Sequence, residues 1–476
     1  MTKLERAPGL FLVGLVALVL AGAVPTGTRA AATLTVYPEP MLPRLLVPGD
    51  RIVVGYTVET AGVKAPTGVL YVRDDLHARY QRVALKLGRS IVNGSHPRLS
   101  AVLPSSLTRA HRIFLYAVIR DSASGSSATL PARGAAAPVS SWVLHKPVVV
   151  KLGTHVFGRT RAADMIVARA SAAQVGWDLT GPIGPQTFLV DRDRSVWLED
   201  EVNGRMLVWR ASKPNAVARA VPLPSGGAAL GDIAFGPNGS LYVTRWHQPG
   251  FVLELFRVDA SGKVLWQSSA GASGPDTGVA ANQPLWVGPD GALYCRISAP
   301  GLSWPTSARS EYGLLPLATS AGKPVPPEQQ LDRALWGYDP APNGRRFVVD
   351  VAPNQAQLRE LRLALLRRNG TVERSWRVIS RSWFSPGLWP QLVNGHPLVD
   401  LLIARPGRME HVILHLSPMG ASARFSLPWS IWGDSLYADV RPGPGAVLYR
   451  LSTSHSSGIV VSRYSLARGN QGAAKQ

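Results

Sequence analysis

The sequence predicts an all-β protein in two parts, a sandwich of short strands followed by a series of repeated four-stranded sheets. The 476 residues include 46 glycines and 39 prolines spread along the chain, which favours many turns and short strands over long helices. Runs rich in valine, leucine, isoleucine and tyrosine lie between these turns, as in β-strands. Beyond residue 178, pairs of turns recur at intervals of roughly 40 to 50 residues, which indicates an internal repeat.

The first 31 residues are typical of a signal peptide. Lys3 and Arg6 precede an uninterrupted apolar run, residues 9–24, and small residues follow it. The run is shorter than the about 20 residues that a spanning helix needs, and no later run is long and apolar enough to span. We therefore expect residues 1–31 to be removed on export, which leaves a secreted or cell-envelope protein without a membrane span. The alternative is that this segment is retained as a membrane anchor.

The chain has one cysteine, Cys295, so no disulfide can form within it. Cys295 lies in ALYCRI, an alternating strand pattern, and is expected to be a buried apolar side chain. An exported protein without disulfides fits a bacterial protein that is large enough to be stabilised by its core.

The formal net charge is +21, with 42 arginines and 9 lysines. Outside the cytoplasm, the polyanions available to such a chain are anionic glycans and other envelope polymers. No basic helix or nucleic-acid-binding motif is present, so we expect no nucleic-acid partner. The alternative is a solvated basic surface without a specific partner.

Residues 32–146 are expected to form the sandwich, because about seven strand-like runs occur there with turn residues between them. The runs are ATLTVY, RIVVGYTVET, GVLYVRDD, YQRVALKLG, PRLSAVLP, RIFLYAVIRDS and SSWVLH. This arrangement fits an immunoglobulin-like β-sandwich, although the Cys…Trp…Cys pattern of antibody domains is absent. No residue of this segment suggests chemistry.

Six repeated units are expected over residues 178–468. A glycine turn comes late in five of them, at Gly262, Gly322, Gly370, Gly420 and Gly458. An earlier turn occurs in GPNGSLYVT, GPDGALYCR, APNGRRFVVD, VNGHPLVDLL and WGDSLYADV. Two turns and about four strands per unit are typical of a propeller blade, so we expect a six-bladed β-propeller followed by a disordered tail, residues 469–476. Residues 147–177 would be a connector, in which Asp164–Ser171 supplies the strand that closes the ring.

The first unit, GPQTFLVDRDRSVWLEDEVNGRMLVW, contains the pattern D-x-x-N-x-R, formed by Asp200, Asn203 and Arg205 between two hydrophobic strands, 196–200 and 205–209. This pattern resembles the NHL-repeat family of six-bladed propellers. Asp and Asn can bond the turn, Gly204 permits a positive φ, and Arg205 can pair with Asp200. The three consecutive acids are therefore interpreted as structural. The other units match only in hydrophobic pattern and turn placement, so the resemblance implies a fold and no particular function.

One face of the expected propeller carries long connections rich in aromatic and arginine residues, while the other has tight hairpin turns. Tryptophan and arginine anchor interfaces, stack on sugars and pair with anions. The candidate ligand-binding residues are Arg245, Trp246, His247, Trp304, Trp383, Trp389, Arg405, Arg408 and Arg441. Alternatively, these tryptophans pack between blades and these arginines are simply exposed.

Four polar residues lie near the starts of expected innermost strands and would form the rim of the central channel: Gln186, Asp232, Gln283 and Gln391. Gluconolactonase-like propellers hold a metal at this axis, and Asp232, Asn282 and Asp434 could be ligands here. No glutamate partner is identified in the first unit. His411 and His415 share a strand face, but the strand rise separates them too far to share an ion.

These observations favour an exported, non-catalytic binding or scaffold protein. Its partner would be a glycan, an anionic envelope polymer or another protein, with no cofactor. The alternative is a metal-dependent lactonase- or lyase-like propeller enzyme with Ca²⁺ or another divalent ion in the axial channel. No catalytic residue and no definite metal ligand is assigned, and no hydrolase or nucleotide-binding motif is present.

Overall fold

The computed structural model describes residues 34–38, 43–58, 63, 66–89, 96–171, 174–175, 184–224, 230–247, 252–269, 284–298, 312–330, 332–351, 358–429, 439–454 and 458–467. Over these residues the protein is all-β, which confirms the predicted class, and the one α-helix they contain is the short α1, Pro327–Gln330. The expected signal peptide and C-terminal tail lie outside them. No helix within the described ranges is long and apolar enough to cross a membrane.

Two sheets form the N-terminal part. The first has the strand order β1 (Val36–Pro38), β3 (Val53–Val58), β7 (Pro97–Val102) and β6 (Lys86–Arg89). The second has the order β2 (Leu45–Leu46), β10 (Val139–Val143), β8 (Arg112–Asp121), β4 (Pro66–Asp74) and β5 (Gln81–Ala84), and β9 (Ser127–Leu130) also pairs with β8. All these pairs are antiparallel except β2 with β10.

Every second side chain of each strand points inward, and these side chains form the core between the two sheets. On β8, Ile113, Leu115, Ala117 and Ile119 are all buried, and they pack with residues of the first sheet such as Tyr56. Every second side chain of a strand points to the same face, so the intervening residues of β8 lie on the opposite face of the second sheet.

The C-terminal part begins with three antiparallel four-stranded sheets, in each of which the strands follow chain order. Sheet 1 contains β13 (Phe188–Val190), β14 (Val196–Asp200), β15 (Arg205–Trp209) and β16 (Val217–Pro222). Sheet 2 contains β17 (Leu230–Phe235), β18 (Leu241–His247), β19 (Val252–Val258) and β20 (Val264–Ser269). Sheet 3 contains β21 (Leu285–Val287), β22 (Leu293–Ser298), β23 (Tyr312–Ala318) and β24 (Leu335–Trp336).

The next eight strands form two further sets. Sheet 4 contains β25 (Asp339–Ala341), β26 (Arg345–Val351), β27 (Leu358–Leu366) and β28 (Val372–Pro386). Sheet 5 contains β29 (Gln391–Val393), β30 (His396–Arg405), β31 (Arg408–Ser417) and β32 (Gly420–Pro428). The end of the long strand β28 pairs with β30, which joins sheets 4 and 5.

Sheet 6 combines the last strands of the chain with a strand from the connector. Its members are β33 (Val440–Gly443), β34 (Val447–Ser454), β35 (Gly458–Ser465) and β12 (Met165–Ala170). The strand expected at Asp164–Ser171 forms as β12 and pairs with β35. A second connector strand, β11 (Val148–Lys151), pairs in parallel with β28, and the sequence did not predict it.

Apolar cores join neighbouring sheets in chain order. Separate clusters of buried residues lie between sheets 1 and 2, 2 and 3, 4 and 5, and 5 and 6. Another cluster packs Phe188 and Trp209 of sheet 1 with Tyr449 and Val461 of sheet 6, so the last sheet contacts the first.

The N-terminal sheets pack against sheet 4. Leu45 and Trp142 are buried with Leu366, and Trp142 Nε1 donates to Gly370 O at 2.8 Å. Buried Arg362 of β27 donates to Leu45 O at 3.0 Å and pairs with Asp50. This contact therefore has both an apolar and an ionic component.

The predicted turns have the backbone that their residues favour. Asn238, Asn343 and Asn394 all adopt positive φ, between 52° and 63°, and each is followed by a glycine of positive φ. Asparagine and glycine tolerate this left-handed region, and at Asn394 and Gly395 they form the two-residue turn between Val393 and His396. The five late-turn glycines expected from the sequence also have positive φ.

Candidate functional site

Asp232 of β17 connects four sheets. Its fully buried carboxylate accepts hydrogen bonds from Thr187 Oγ1 at 2.6 Å, Leu285 N at 2.7 Å and Arg441 Nη2 at 2.5 Å. Thr187 directly precedes β13, Leu285 begins β21, and Arg441 is the second residue of β33. These strands are the first strands of sheets 1, 3 and 6. An irregularity in the pairing of β17 with β18, between Leu230 and Ile233, accompanies this arrangement. Asp232 therefore marks a place where the first strands of several sheets converge.

Glu199 lies beside Asp232 and is fully buried. It shares a side of β14 with Trp197, which packs in the apolar core between sheets 1 and 2. Burial, followed by the negative charges of Glu201 and Asp232, raises the pKa of Glu199 well above its ordinary value. Gln186 N donates to Oε2 at 3.2 Å, and Oε1 has no hydrogen-bond partner within the described structure. The buried carboxyl therefore binds its proton more tightly than a glutamate in water does.

Glu201 is half-buried and forms the accessible part of this group. It accepts a hydrogen bond from Gln186 Nε2 at 2.7 Å, and burial raises its pKa. We name the whole set the Glu199 cluster, which consists of Gln186, Thr187, Glu199, Glu201, Asp232 and Arg441. It combines a buried acid with an elevated pKa and a partly exposed amide and carboxyl pair. Such groups can exchange hydrogen bonds with hydroxyls or move a proton.

A second polar group lies at the start of sheet 4. Arg296 of β22 donates to both oxygens of buried Asp339 at 3.1 Å, and Trp389 Nε1 donates to Asp339 Oδ2 at 3.2 Å. The guanidinium of Arg296 stands 4.3 Å from the centre of the Trp389 ring. Trp389, one of the candidate ligand-binding residues, thus forms part of the contact among sheets 3, 4 and 5.

A third group is a buried histidine between two acids. His411 Nδ1 lies 3.0 Å from both oxygens of Asp400, and Nε2 lies 2.7 Å from Asp439 Oδ2. Burial opposes the charged ring, but the two carboxylates prevail and raise the pKa of His411 to about 10. Leu388 N also donates to Asp400 at 3.0 Å. This charged group connects sheet 5 with the start of sheet 6.

The other candidate arginines are engaged within the protein. Arg245 donates two hydrogen bonds to Glu254 Oε2, at 2.6 and 2.8 Å, and stacks over Phe256. Arg408 pairs with buried Glu410 at 2.8 Å, and Glu410 also accepts hydrogen bonds from His155 and Gly158 of the connector.

The remaining candidates lie in different settings. Arg405 stacks over Phe157 at 4.7 Å. Trp383 is 52% exposed, with Arg359 near its ring. Gln391 begins β29, opposite Leu398. Gln283 and Trp304 lie outside the described residues. The structure describes the backbone of Trp246 and His247 but not their side chains.

The turn between β14 and β15 has the expected contacts and strand bounds. Arg205 Nε donates to Asp200 Oδ2 at 2.7 Å, and Asn203 Nδ2 lies 2.8 and 2.9 Å from the two Asp200 oxygens. Gly204 adopts a φ of 58°. Asp200 is fully buried, so this turn satisfies a carboxylate that would otherwise be costly.

Sequence reasoning missed Glu199 and Glu201. From the sequence, no glutamate metal partner for Asp232 was identified in the first unit, and we did not anticipate that Asp232 lies close enough to Glu199 to contribute to the raised pKa of Glu199. The signal in the sequence was the two-residue period of a β-strand. Glu199 and Glu201 alternate with Asp200, so their side chains point to the strand face opposite that of Asp200. His411 was considered only with His415, whereas its partners are Asp400 and Asp439.

The described residues contain no group of three or more His, Cys, Asp or Glu that could hold a metal ion. Asn282 and Asp434, the other suggested ligands, lie outside them. Cys295 is buried, and burial raises the pKa of its thiol to about 12.

Comparison with known proteins gave little. No family model matches the chain, and no curated protein matches it. Among solved structures, the chain is similar to a luciferin-regenerating enzyme, with 11% sequence identity and a TM-score of 0.33 over 60% of this chain and 92% of that one. A likeness this weak supports no conclusion about fold or function.

Proposed function

We propose that sheets 1 to 6 are the blades of a closed propeller similar to NHL-repeat propellers, and that the two N-terminal sheets form an immunoglobulin-like module. Three observations support the ring. The apolar cores join successive sheets, sheet 6 packs on sheet 1, and β12 completes sheet 6 from a distant part of the chain. The contact of Arg296 with Asp339 supplies the junction between sheets 3 and 4.

The protein is proposed to be an extracytoplasmic, non-catalytic binding protein that holds a hydroxyl-rich ligand, a glycan, at the mouth of the propeller channel. The observation that carries this proposal is the Glu199 cluster. Asp232, at the start of an innermost strand, fixes the cluster, and Glu201 and Gln186 are its partly exposed members. An amide and two carboxyls of raised pKa offer both donors and acceptors, which suits the paired demands of sugar hydroxyls.

The position of the cluster agrees with general features of such sites. Ligand sites usually combine a rigid scaffold with a few convergent polar groups and perturbed pKa values. Here the first strands supply the rigid base. The arginines Arg245 and Arg408 would shape the surrounding face through their ion pairs rather than contact the ligand as free cations.

The test is binding of the purified full chain to a panel of immobilised neutral glycans and to isolated bacterial envelopes. Gln186→Ala should weaken retention about tenfold, because a ligand-facing hydrogen-bonding group is lost. The matched control is Gln267→Ala, which removes a similar amide that donates to Glu254 at 2.8 Å. Equal retention of the two variants, at unchanged melting temperature, would refute the assignment of the site.

An enzyme is the second candidate, favoured by the raised pKa of Glu199, because a protonated buried carboxyl is suited to general acid catalysis. Glu199→Gln would keep the size of the side chain and remove the titrating proton. If the protein hydrolyses lactones or glycosides, this change should abolish turnover while leaving substrate binding within about threefold. Binding of glycans without any turnover in the wild type would exclude this alternative.

A further inference from the structure

The outer face of the second N-terminal sheet carries an ordered set of aromatic and arginine side chains. Strands β4 and β8 pair so that Tyr71 lies opposite Tyr116 and Arg73 lies opposite Phe114. Their neighbours along each strand are buried in the core, so these four side chains occupy the opposite face. We name this surface the arginine–tyrosine face, formed by Tyr71, Arg73, Tyr80, Arg112, Phe114 and Tyr116.

The rings and guanidinium groups of this face are held in a defined geometry. Tyr71 and Tyr116 stack with ring centres 4.6 Å apart and planes 2° from parallel, and Tyr80 meets Tyr116 edge-on at 5.1 Å. The guanidinium of Arg73 lies 4.2 Å from the centre of the Phe114 ring and 5.3 Å from that of Tyr80. These side chains are half-buried, so they are ordered and still reach the surface. Side chains fixed in advance lose little entropy when a ligand binds.

Positive charge is in excess on this face. Arg112 also lies 4.9 Å from the Phe114 ring centre. Burial and then the charge of Arg346 lower the pKa of Arg112, Asp75 raises it, and Arg73 has the smallest lowering effect. The Asp75 carboxylate already accepts hydrogen bonds from Arg112 N and from a neighbouring amide. The positive charges of Arg346 and Arg73 thus act on Arg112, whose nearby acid is Asp75, and an anion that arrived from solution would reduce the repulsion among these arginines.

We propose that the arginine–tyrosine face binds an acidic polysaccharide. Its carboxylate or sulfate groups pair with Arg73 and with Arg346 of β26, since a guanidinium can donate two parallel hydrogen bonds to two oxygens of one such group. Its sugar rings pack against the tyrosine rings, which present apolar surface beside a hydroxyl. A chain that is exported meets polyanions of this kind at the envelope, which favours a glycan over a nucleic acid.

This surface lies in the N-terminal sheets, beside Arg346 of β26 in sheet 4, and it uses no residue of the Glu199 cluster. It therefore does not depend on the function proposed for that cluster, and variants of one site leave the other intact. The module would add a second, charge-dependent attachment to the ligand held by the C-terminal sheets.

The test measures binding of the full chain to polygalacturonate and to dextran sulfate at about 0.15 M salt, where weak long-range attraction is screened. Arg73→Gln and Arg346→Gln should each weaken binding to at least one probe about tenfold, because each removes a charged hydrogen-bonding partner. The matched control is Arg219→Gln, which removes an exposed arginine that lies 4.6 Å from the centre of the Trp197 ring. It removes the same charge and a similar contact, and it should change binding less than about twofold.

The result that supports the proposal is loss in both face variants with a preserved melting temperature and no loss in the control. Equal weakening in all three variants would mean that a diffuse basic surface is responsible and would overturn it. Failure of the wild type to bind either polysaccharide would also overturn it. Poly-L-glutamate and duplex DNA are included as anions without pyranose rings, and tighter binding of either one would reject the assignment to a polysaccharide.

Discussion

The buried group of His411 between Asp400 and Asp439 gives a sharp prediction about stability and pH. The side chain of His411 is 1% exposed, and its partners are the fully buried Asp400 and the half-buried Asp439. In the variant His411→Gln, both carboxylates lose their cation while the polar size of the side chain is largely kept. Removal of one partner from a buried ionic group typically costs about 3–5 kcal/mol of unfolding free energy.

The pKa of His411 gives a second value for the unfolding free energy that the charged histidine contributes. The folded pKa of about 10 exceeds the unfolded value of 6.5. Because each unit corresponds to about 1.4 kcal/mol, protonation of His411 stabilises the native state by about 5 kcal/mol below pH 6. The sign follows from the raised pKa, since the folded state holds the proton more tightly than the unfolded state. The contribution falls to about 3 kcal/mol at pH 8 and below about 1 kcal/mol at pH 10.

The assay is urea unfolding of the wild type and His411→Gln at pH 6, 8 and 10. The free-energy difference between them should shrink by about 4 kcal/mol over this range. The control is His77→Gln, because His77 also lies beside an aspartate, Asp74, but its side chain is 66% exposed. That variant should stay within about 1 kcal/mol of the wild type at every pH. A difference for His411→Gln that does not change with pH, or that grows as the pH rises, would show that the charged histidine is not the source of the stability.

Two further predictions concern other buried groups. Arg362→Met should lower the unfolding free energy by about 3–5 kcal/mol, because Arg362 is 2% exposed and joins Glu360 with Asp50 at the contact between the N-terminal sheets and sheet 4. Calorimetry should show this loss, whereas Arg345→Met, at a more exposed ion pair, should cost less than about 1 kcal/mol; similar losses would contradict the reasoning. Cys295 should resist maleimide in the native protein at pH 8 and react fully in denaturant, because burial raises the pKa of the thiol to about 12; rapid native labelling would contradict this.

The sequence predicted strands and turns well because both depend on neighbouring residues. The bounds 196–200 and 205–209 are those of β14 and β15, and the ion pair of Arg205 with Asp200 forms within five residues of chain. The Asn-Gly turns could be predicted because few other residues tolerate positive φ. A strand within residues 164–171 was also predicted from its strand-like pattern, and β12 forms there and pairs with β35.

The candidate site could not be predicted as a unit. Burial of Glu199 depends on the packing of sheet 2 against sheet 1, and its neighbour Asp232 is bonded to Arg441, which is 209 residues away in the chain. Likewise, three of the arginines expected to serve an open binding face, Arg245, Arg408 and Arg441, are paired with the carboxylates of Glu254, Glu410 and Asp232. A charge pattern in a sequence does not show which charges will be neutralised by partners from other strands.

The sequence by itself determined the all-β class, most strand positions and the turns, because alternation of side chains and backbone preference act over two to five residues. Only the tertiary structure decided that β11 would pair in parallel with β28, that Glu199 would be buried next to another acid, and that His411 would be charged. These outcomes depend on which sheets pack together, because packing removes water from a group and brings distant charges within a few ångströms. That desolvation and proximity, rather than residue type, set the chemistry of the candidate site.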